Sequence, residues 1–133
     1  MNLIIWNCRR TLNPTFCNNV IDLTRIHNLA ILILTETKAS GDRAKRTVDR
    51  LPFNGAIFAN TIGLSSGLWL LWDSSRVGVI ELLMTEHEIH VLVIPIYSNT
   101  LWLLSTVYAN PRFAERRLLW ENFNSLISIP FPR

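Results

Sequence analysis

Short apolar segments that each end at a polar residue constrain the fold of this chain more than any other feature. Residues 3–6 precede Asn7, residues 31–35 precede Glu36, and residues 101–107 precede Tyr108. In layered folds, side chains at the ends of neighbouring strands line one edge of a sheet, where they can converge on a ligand. We therefore expect Asn7, Glu36 and Tyr108 to lie together at one edge of a single sheet.

The spacing of apolar residues and turn signals predicts an α/β fold. Strand-like segments rich in β-branched and aromatic residues lie at about residues 2–7, 29–36, 55–61, 67–72, 77–83, 88–96 and 101–108. Helical spacing is found from Phe16 to Ile26, from Gly41 to Leu51, and from Arg112 to about Ile127. The early strands are joined through helices and the later ones through short turns. This order predicts one mixed, mostly antiparallel sheet with helices on its outer face.

Length and composition limit the classes of protein that the chain can represent. A chain of 133 residues forms one domain with a core of its own. Only 17% of the residues are charged, against about 25% in a typical soluble domain, so we expect part of the surface to be covered. The apolar segments are too short for a signal peptide or a membrane span. A single pair of cysteines, Cys8 and Cys17, is typical of reduced intracellular thiols. We expect a nuclear or cytoplasmic protein that is not secreted.

Three phrases in a fixed order carry a resemblance to a known family. They read Ile-Ile-Trp-Asn-Cys-Arg, Leu-Thr-Glu-Thr-Lys and Val-Tyr-Ala-Asn-Pro, with Ser-Gly-Leu-Trp-Leu-Leu-Trp between the second and the third. In this respect the chain resembles the endonuclease/exonuclease/phosphatase superfamily, and most of all the endonuclease domain of plant LINE-type (non-LTR) retrotransposon polyproteins. The resemblance implies half of that family's four-layered sandwich. Residues 1–133 would form a single incomplete domain, because the family's downstream Gly-Asp-Phe-Asn and Asp-His motifs do not occur in them.

The same resemblance implies a Mg²⁺-dependent phosphodiesterase that acts on the DNA backbone. Glu36 matches the glutamate that binds the catalytic metal ion, and Asn7 and Tyr108 match catalytic residues that contact the phosphate. Each residue also has a simpler interpretation. Glu36 could cap its strand, Asn7 could be an ordinary turn residue, and Tyr108 could be a half-buried tyrosine with its hydroxyl in water.

The three histidines do not add to this predicted site. His27 lies at a helix end, and His87 and His90 flank or lie within a strand, away from the predicted edge. A spacing of three puts His87 and His90 on opposite faces of a strand. The sequence therefore does not predict a zinc site from this pair.

Three classes of function follow from the sequence. The chain could be the N-terminal part of a DNA endonuclease-like domain that has little activity alone, a non-catalytic remnant of such a domain, or a structural or interaction protein. Whether it is itself an enzyme is left open by the missing motifs. A half sandwich would leave one sheet face exposed, and we expect self-association through the residues on it, which are Leu70, Trp72, Val91, Val93 and Leu103.

Overall fold

A computed structural model describes residues 2–9, 11, 14–39, 41–59, 67–85, 88–108 and 116–121, with the backbone alone described for Tyr108 and for 116–121. It contains two helices and eight strands in these ranges. In chain order they are β1 (Asn2–Asn7), α1 (Phe16–His27), β2 (Leu29–Thr35), α2 (Gly41–Val48), β3 (Gly55–Ala59), β4 (Leu68–Trp72), β5 (Val77–Met84), β6 (Glu88–Pro95), β7 (Trp102–Tyr108) and β8 (Arg116–Glu121).

The first sheet has the strand order β1-β2-β4-β3. β1 and β2 are parallel and are joined through α1, whereas β4 is antiparallel to both β2 and β3. Every residue of β2 is buried. A strand that is covered on both faces has no solvent side, which explains why β2 is continuously apolar up to Thr35.

The second sheet has the order β5-β6-β7-β8 and is antiparallel throughout. The chain enters it through a turn at residues 73–76, which directly follows β4. There the Asp73 carboxylate accepts hydrogen bonds from the Ser75 backbone N–H at 3.0 Å and the Ser75 hydroxyl at 2.6 Å. The backbone N–H of Val77 donates to the Asp73 carbonyl at 3.1 Å. This turn moves the chain from one sheet to the other.

The α/β class is therefore correct, but the prediction of a single sheet is wrong. Hairpin-like spacing predicts that consecutive strands are antiparallel, but it does not predict whether they share a sheet. β4 and β5 are consecutive and are not paired with each other. The two sheets instead contribute to a common apolar core, in which Ile31, Ile33 and Leu70 from the first pack with Val91 and Leu104 from the second.

A second core lies between the first sheet and the helices. It combines Phe16 and Val20 of α1 and Val48 of α2 with Leu34 and Trp69 of the sheet. The Trp69 ring meets Phe16 and Phe58 edge to face, with centroid separations of 6.5 and 5.3 Å. The described elements thus form three layers in the order helices, first sheet, second sheet.

This arrangement also corrects the expected exposed face. Leu70 and Val91 are 0% exposed and Val93 is 1% exposed, because they lie between the two sheets. Trp72 is half-buried and packs against the same core. Leu103 is half-buried and belongs to neither core. The predicted exposure of Leu70, Val91 and Val93 is therefore wrong, whereas self-association of the chain stays a prediction.

The helix predicted from Arg112 to about Ile127 is also wrong where the structure describes it. Residues 116–121 form β8, which pairs with β7 in the register Leu104↔Trp120. The rest of the predicted helix lies outside the described residues. Helical spacing is a weak preference, and pairing with a neighbouring strand overrides it. Among the described residues, no helix is long and apolar enough to cross a membrane.

Candidate functional site

Asn7 and Glu36 lie side by side at the carboxyl ends of two adjacent parallel strands. Asn7 is the last residue of β1 and is in register with Thr35, the last residue of β2. Glu36 is the next residue along the chain. Parallel pairing places both carboxyl ends at one edge of the first sheet, as the sequence predicted for these two residues.

The backbone at this edge has an uncommon conformation. Arg9, Glu36 and Lys38 have φ angles of 60°, 56° and 53°. Residues other than glycine rarely adopt this left-handed region, because each such residue costs of order 1–3 kcal/mol and persists only where the surrounding structure imposes it. Such residues cluster at ligand sites. Glu36 and Lys38 lie in the loop after β2, and we name residues 36–38 the Glu36 loop. Arg9 lies in the turn after β1.

β1 and the turn after it hold one side of the Glu36 loop. The Cys8 backbone N–H donates to the Thr35 carbonyl at 3.1 Å, and the Cys8 thiol donates to the same oxygen at 3.3 Å. Thr11, which is buried, donates both its backbone N–H and its hydroxyl to the Thr37 carbonyl, at 3.2 and 3.1 Å. Four hydrogen bonds thus fix the carbonyls on either side of Glu36.

The residue that precedes β4 holds the other side of the loop. The Thr37 backbone N–H donates to the Gly67 carbonyl at 3.4 Å. Gly67 has a φ angle of 148°, and a Cβ atom there would lie 2.1 Å from the Thr37 hydroxyl oxygen and 2.9 Å from the Lys38 backbone nitrogen. Only glycine fits against the loop at this position.

The Asn7 side chain takes part in a local turn. Its Oδ1 atom accepts a hydrogen bond from the Arg9 backbone N–H at 3.2 Å. This contact matches the turn role that the sequence also allowed for Asn7. It orients the amide at the edge of the sheet, and the NH₂ group of that amide is a hydrogen-bond donor.

Tyr108 belongs to the other sheet. It is the last residue of β7, so the expectation that all three site residues share one sheet is wrong. The turn at residues 73–76 lies at the end of the first sheet opposite Glu36, because the Asp73 backbone N–H donates to the Ala30 carbonyl near the start of β2. β5 starts at that turn, and β7 runs in the same direction as β5. The carboxyl end of β7, where Tyr108 lies, is therefore at the end of the second sheet that is farther from that turn.

The side chains at this edge can be compared with the ligands that the Mg²⁺ ion implied by the resemblance would need. Mg²⁺ is often bound through one or two carboxylates, with waters and substrate phosphates completing its shell. Glu36 supplies one partly exposed carboxylate at the edge where β1 ends with Asn7, which fits such a shell in part. The described residues contain no group of three His, Cys, Asp or Glu side chains that could hold a metal ion alone. Substrate or further ligands would have to complete the shell.

Thr11, Thr37 and Gly67 were not identified as site residues from the sequence. Gly67 stands within the Ser-Gly-Leu-Trp phrase, but nothing in the phrase indicates which loop it contacts. A turn signal predicts where the chain bends, whereas the contact between Gly67 and Thr37 joins residues 30 positions apart. The two threonines have no distinguishing spacing in the sequence.

Comparison with known proteins supports the fold alone. No protein-family model matches the chain, and no curated protein matches it. A solved structure described as a functionally unknown conserved protein from Enterococcus faecalis V583 is similar, with a TM-score of 0.58 and 15% sequence identity. The match covers 83% of this chain and 53% of that chain. The chain thus spans about half the length of the solved protein that it matches.

Proposed function

We propose that this chain forms the N-terminal part of a Mg²⁺-dependent phosphodiesterase domain of the endonuclease/exonuclease/phosphatase type. The observation that carries the proposal is the adjacency of Asn7 and Glu36 at the carboxyl ends of β1 and β2. The family places the same two residue types at the ends of its first two strands. The left-handed, doubly anchored Glu36 loop supports the proposal, because a binding site needs side chains held in fixed positions.

Each residue has a defined role in this proposal. Glu36 binds Mg²⁺ through its carboxylate. The bound ion would neutralise charge on the phosphate under attack. Asn7 donates its amide N–H to a phosphate oxygen without adding charge to the site, while its Oδ1 atom stays on the Arg9 backbone N–H. Tyr108 donates its hydroxyl to the same phosphate, and the direction of β7 away from the turn at 73–76 is compatible with this role.

The chain alone should have little or no nuclease activity. Hydrolysis also requires a base that activates water and a group that protonates the leaving oxygen, which in the family come from the Gly-Asp-Phe-Asn and Asp-His segments. Groups that act as a unit in catalysis are strongly non-additive. Loss of these groups should therefore remove nearly all of the rate enhancement, even with Glu36 and Asn7 in place.

DNA is the partner that we propose for this edge. The net charge of +3 is compatible with a polyanionic ligand. Arg9, in the turn after β1, and Lys38, in the Glu36 loop, supply positive charge at the same edge. Phosphate contacts there would position a nucleic acid without reading its sequence. A DNA substrate would place the protein in the nucleus or the cytoplasm.

One observation favours a second candidate, a non-catalytic structural or interaction remnant. The core between the two sheets is closed by the chain itself, with Leu70, Val91 and Val93 almost fully buried. Such a sandwich could persist and bind a partner without any catalytic role for Asn7 or Glu36.

DNA binding distinguishes these candidates, and plasmid nicking tests the dependence on the downstream motifs. Fluorescence anisotropy with a labelled DNA duplex should show binding that strengthens in millimolar Mg²⁺, with the effect of Mg²⁺ lost in Glu36→Gln. Asn7→Ala should weaken binding about fivefold, the loss expected for one hydrogen bond of about 1 kcal/mol. Glu81→Gln on exposed β5 is the control and should bind as the parent does. Mg²⁺-independent binding that neither variant changes would favour the remnant.

Plasmid nicking is the second assay. The chain should leave supercoiled plasmid intact in millimolar Mg²⁺. Strong nicking that Glu36→Ala abolishes would show that the 133 residues contain a complete active site, and would contradict the proposed dependence on the downstream motifs.

A further inference from the structure

A polar cluster interrupts the outward face of the second sheet. It consists of Glu88 and His90, two residues apart on β6, and Ser105, which is directly opposite His90 on β7. Residues two apart on a strand point to the same face. On β5, the residue opposite His90 is Leu83, which is 54% exposed, so the cluster lies beside apolar surface.

The imidazole of His90 is held at one nitrogen and faces a carboxylate at the other. Its Nδ1 atom lies 2.8 Å from the Ser105 hydroxyl oxygen. Its Nε2 atom lies 3.5 Å from the Glu88 Oε1 atom. The Thr85 hydroxyl lies 3.5 Å from the other carboxylate oxygen of Glu88. Both potential ligand atoms therefore belong to side chains whose orientation is constrained.

The 3.5 Å separation of His90 Nε2 and Glu88 Oε1 can be compared with the lengths expected for a hydrogen bond and for two ligands of one metal ion. A charge-assisted N–H···O hydrogen bond is normally about 2.7–2.9 Å long. Two ligand atoms that bind one tetrahedral ion at about 2.0–2.2 Å are about 3.3–3.6 Å apart, which follows from the tetrahedral angle. The observed distance is longer than a direct charge-assisted hydrogen bond and matches the spacing of two ligands of one ion.

We propose that Glu88 and His90 bind one divalent late transition-metal ion, such as Zn²⁺, on the outward face of the second sheet. The ligands are Nε2 of neutral His90 and Oε1 of Glu88, and water molecules fill the other positions. Nδ1–H of His90 donates to Ser105, which fixes the tautomer, as a partner of the second ring nitrogen commonly does for metal-binding histidines. The imidazole favours Zn²⁺, Ni²⁺ or Cu²⁺ over Mg²⁺.

Access to the site is consistent with this role. The His90 and Glu88 side chains are 22% and 37% exposed, so an ion can reach them without a rearrangement of the sheet. The site is separate from the Glu36 edge, because Ile89 and Val91 of β6 face the core between the sheets and the alternating Glu88 and His90 therefore face away from the first sheet. It does not depend on the phosphodiesterase proposal.

Isothermal titration with ZnCl₂ tests the proposal. The parent protein should carry Cys8→Ser and Cys17→Ser, because thiolates also bind Zn²⁺. Affinity should fall at least tenfold in His90→Gln and in Glu88→Gln. It should fall about tenfold in Ser105→Ala, the effect expected from loss of the partner that orients a ligand. His27→Gln and Glu81→Gln are exposed controls and should stay within about twofold of the parent.

A metal-free melting curve for each variant separates a lost ligand from a lost fold. Co²⁺ adds an independent measurement, since its paramagnetism should broaden the His90 ring signals and leave those of His27 sharp. No Zn²⁺ binding at millimolar concentration would overturn the proposal. So would an affinity that is retained in His90→Gln and lost in His87→Gln, because the site would then use a different histidine.

Discussion

The Thr37 hydroxyl lies against Gly67 so closely that a Cβ atom on Gly67 would be 2.1 Å away from it. This contact joins the loop after β2 to the start of β4. The Glu36 loop is therefore held from both sides, by Gly67 on one and by Cys8 and Thr11 on the other. The position of Glu36 depends on residues that are not themselves candidates for catalysis.

Gly67→Ala should destabilise the protein and disturb the Glu36 loop. The new methyl group would overlap Thr37, and such overpacking costs about 1–3 kcal/mol in the free energy of unfolding. Urea denaturation measures this loss. Gly78→Ala is the matched control, because a Cβ atom there meets nothing closer than 3.7 Å, and it should change stability little. Equal effects of the two substitutions would contradict the tight contact.

The two buried threonines at the edge should respond in opposite ways to valine. Thr11→Val removes the hydroxyl that donates to the Thr37 carbonyl at 3.1 Å and should cost about 1 kcal/mol. The Thr37 hydroxyl is buried and has no hydrogen-bond partner within the described ranges. Thr37→Val should therefore leave stability unchanged or raise it by up to about 1 kcal/mol. A large loss in Thr37→Val would show that its hydroxyl has a bonding partner.

The core between the sheets can be tested with a pair of leucines. Leu70 is 0% exposed between the two sheets, and Leu82 on β5 is 53% exposed. Leu70→Ala should lower the free energy of unfolding by about 2–5 kcal/mol, because it removes buried methyl groups and leaves a cavity. Leu82→Ala should cost well under half as much. Similar small losses for both, with strong binding of the dye ANS by the parent, would instead indicate that the two sheets do not close a core.

The turn at residues 73–76, through which the chain passes from the first sheet to the second, should make the free energy of unfolding depend on pH. The Ser75 hydroxyl lowers the pKa of Asp73 below its usual value, and the Ser75 backbone N–H and the Arg76 charge act in the same direction. A folded-state pKa below the unfolded value gives stability that is present above the unfolded pKa and is lost as the pH falls through the folded one. The stability difference between parent and Asp73→Asn should therefore shrink as the pH is lowered from 7 to 2.

An NMR titration of the Asp73 carboxyl group measures the same effect directly. Ser75→Ala removes the hydroxyl donor, so it should raise the pKa of Asp73 toward its usual range. An unchanged titration in Ser75→Ala would show that this hydroxyl does not set the pKa.

Part of this structure could be predicted from local sequence signals. β1 and α1 follow apolar periods of two and about 3.6, so their positions were predictable to within a residue or so. Asn7 and Glu36 lie at one edge of the first sheet because a β-α-β connection places parallel strand ends together. The adjacent positions of these two residues could therefore be predicted without knowing that a second sheet exists.

The remaining features depend on contacts between distant residues. The turn at 73–76 looks like an ordinary hairpin turn, yet it sends the chain into another sheet, and this is why Tyr108 was assigned to the wrong one. β8 adopts the strand conformation next to β7 despite its helical spacing. The fit of Gly67 against Thr37 depends on packing that no local pattern records.

The central claim is that Asn7 and the Glu36 loop form a metal and phosphate site, and paramagnetic broadening by Mn²⁺ tests it most directly. Mn²⁺ shares the preference of Mg²⁺ for oxygen ligands, and broadening detects weak binding at low occupancy. In spectra of the ¹⁵N-labelled chain, the amide signals of Asn7, Cys8, Glu36 and Thr37 should broaden first. Glu36→Gln should abolish this broadening, whereas Glu81→Gln should not. Broadening that begins at the exposed carboxylates of Asp42 in α2 and Asp49 just after it, and that persists in Glu36→Gln, would contradict the claim.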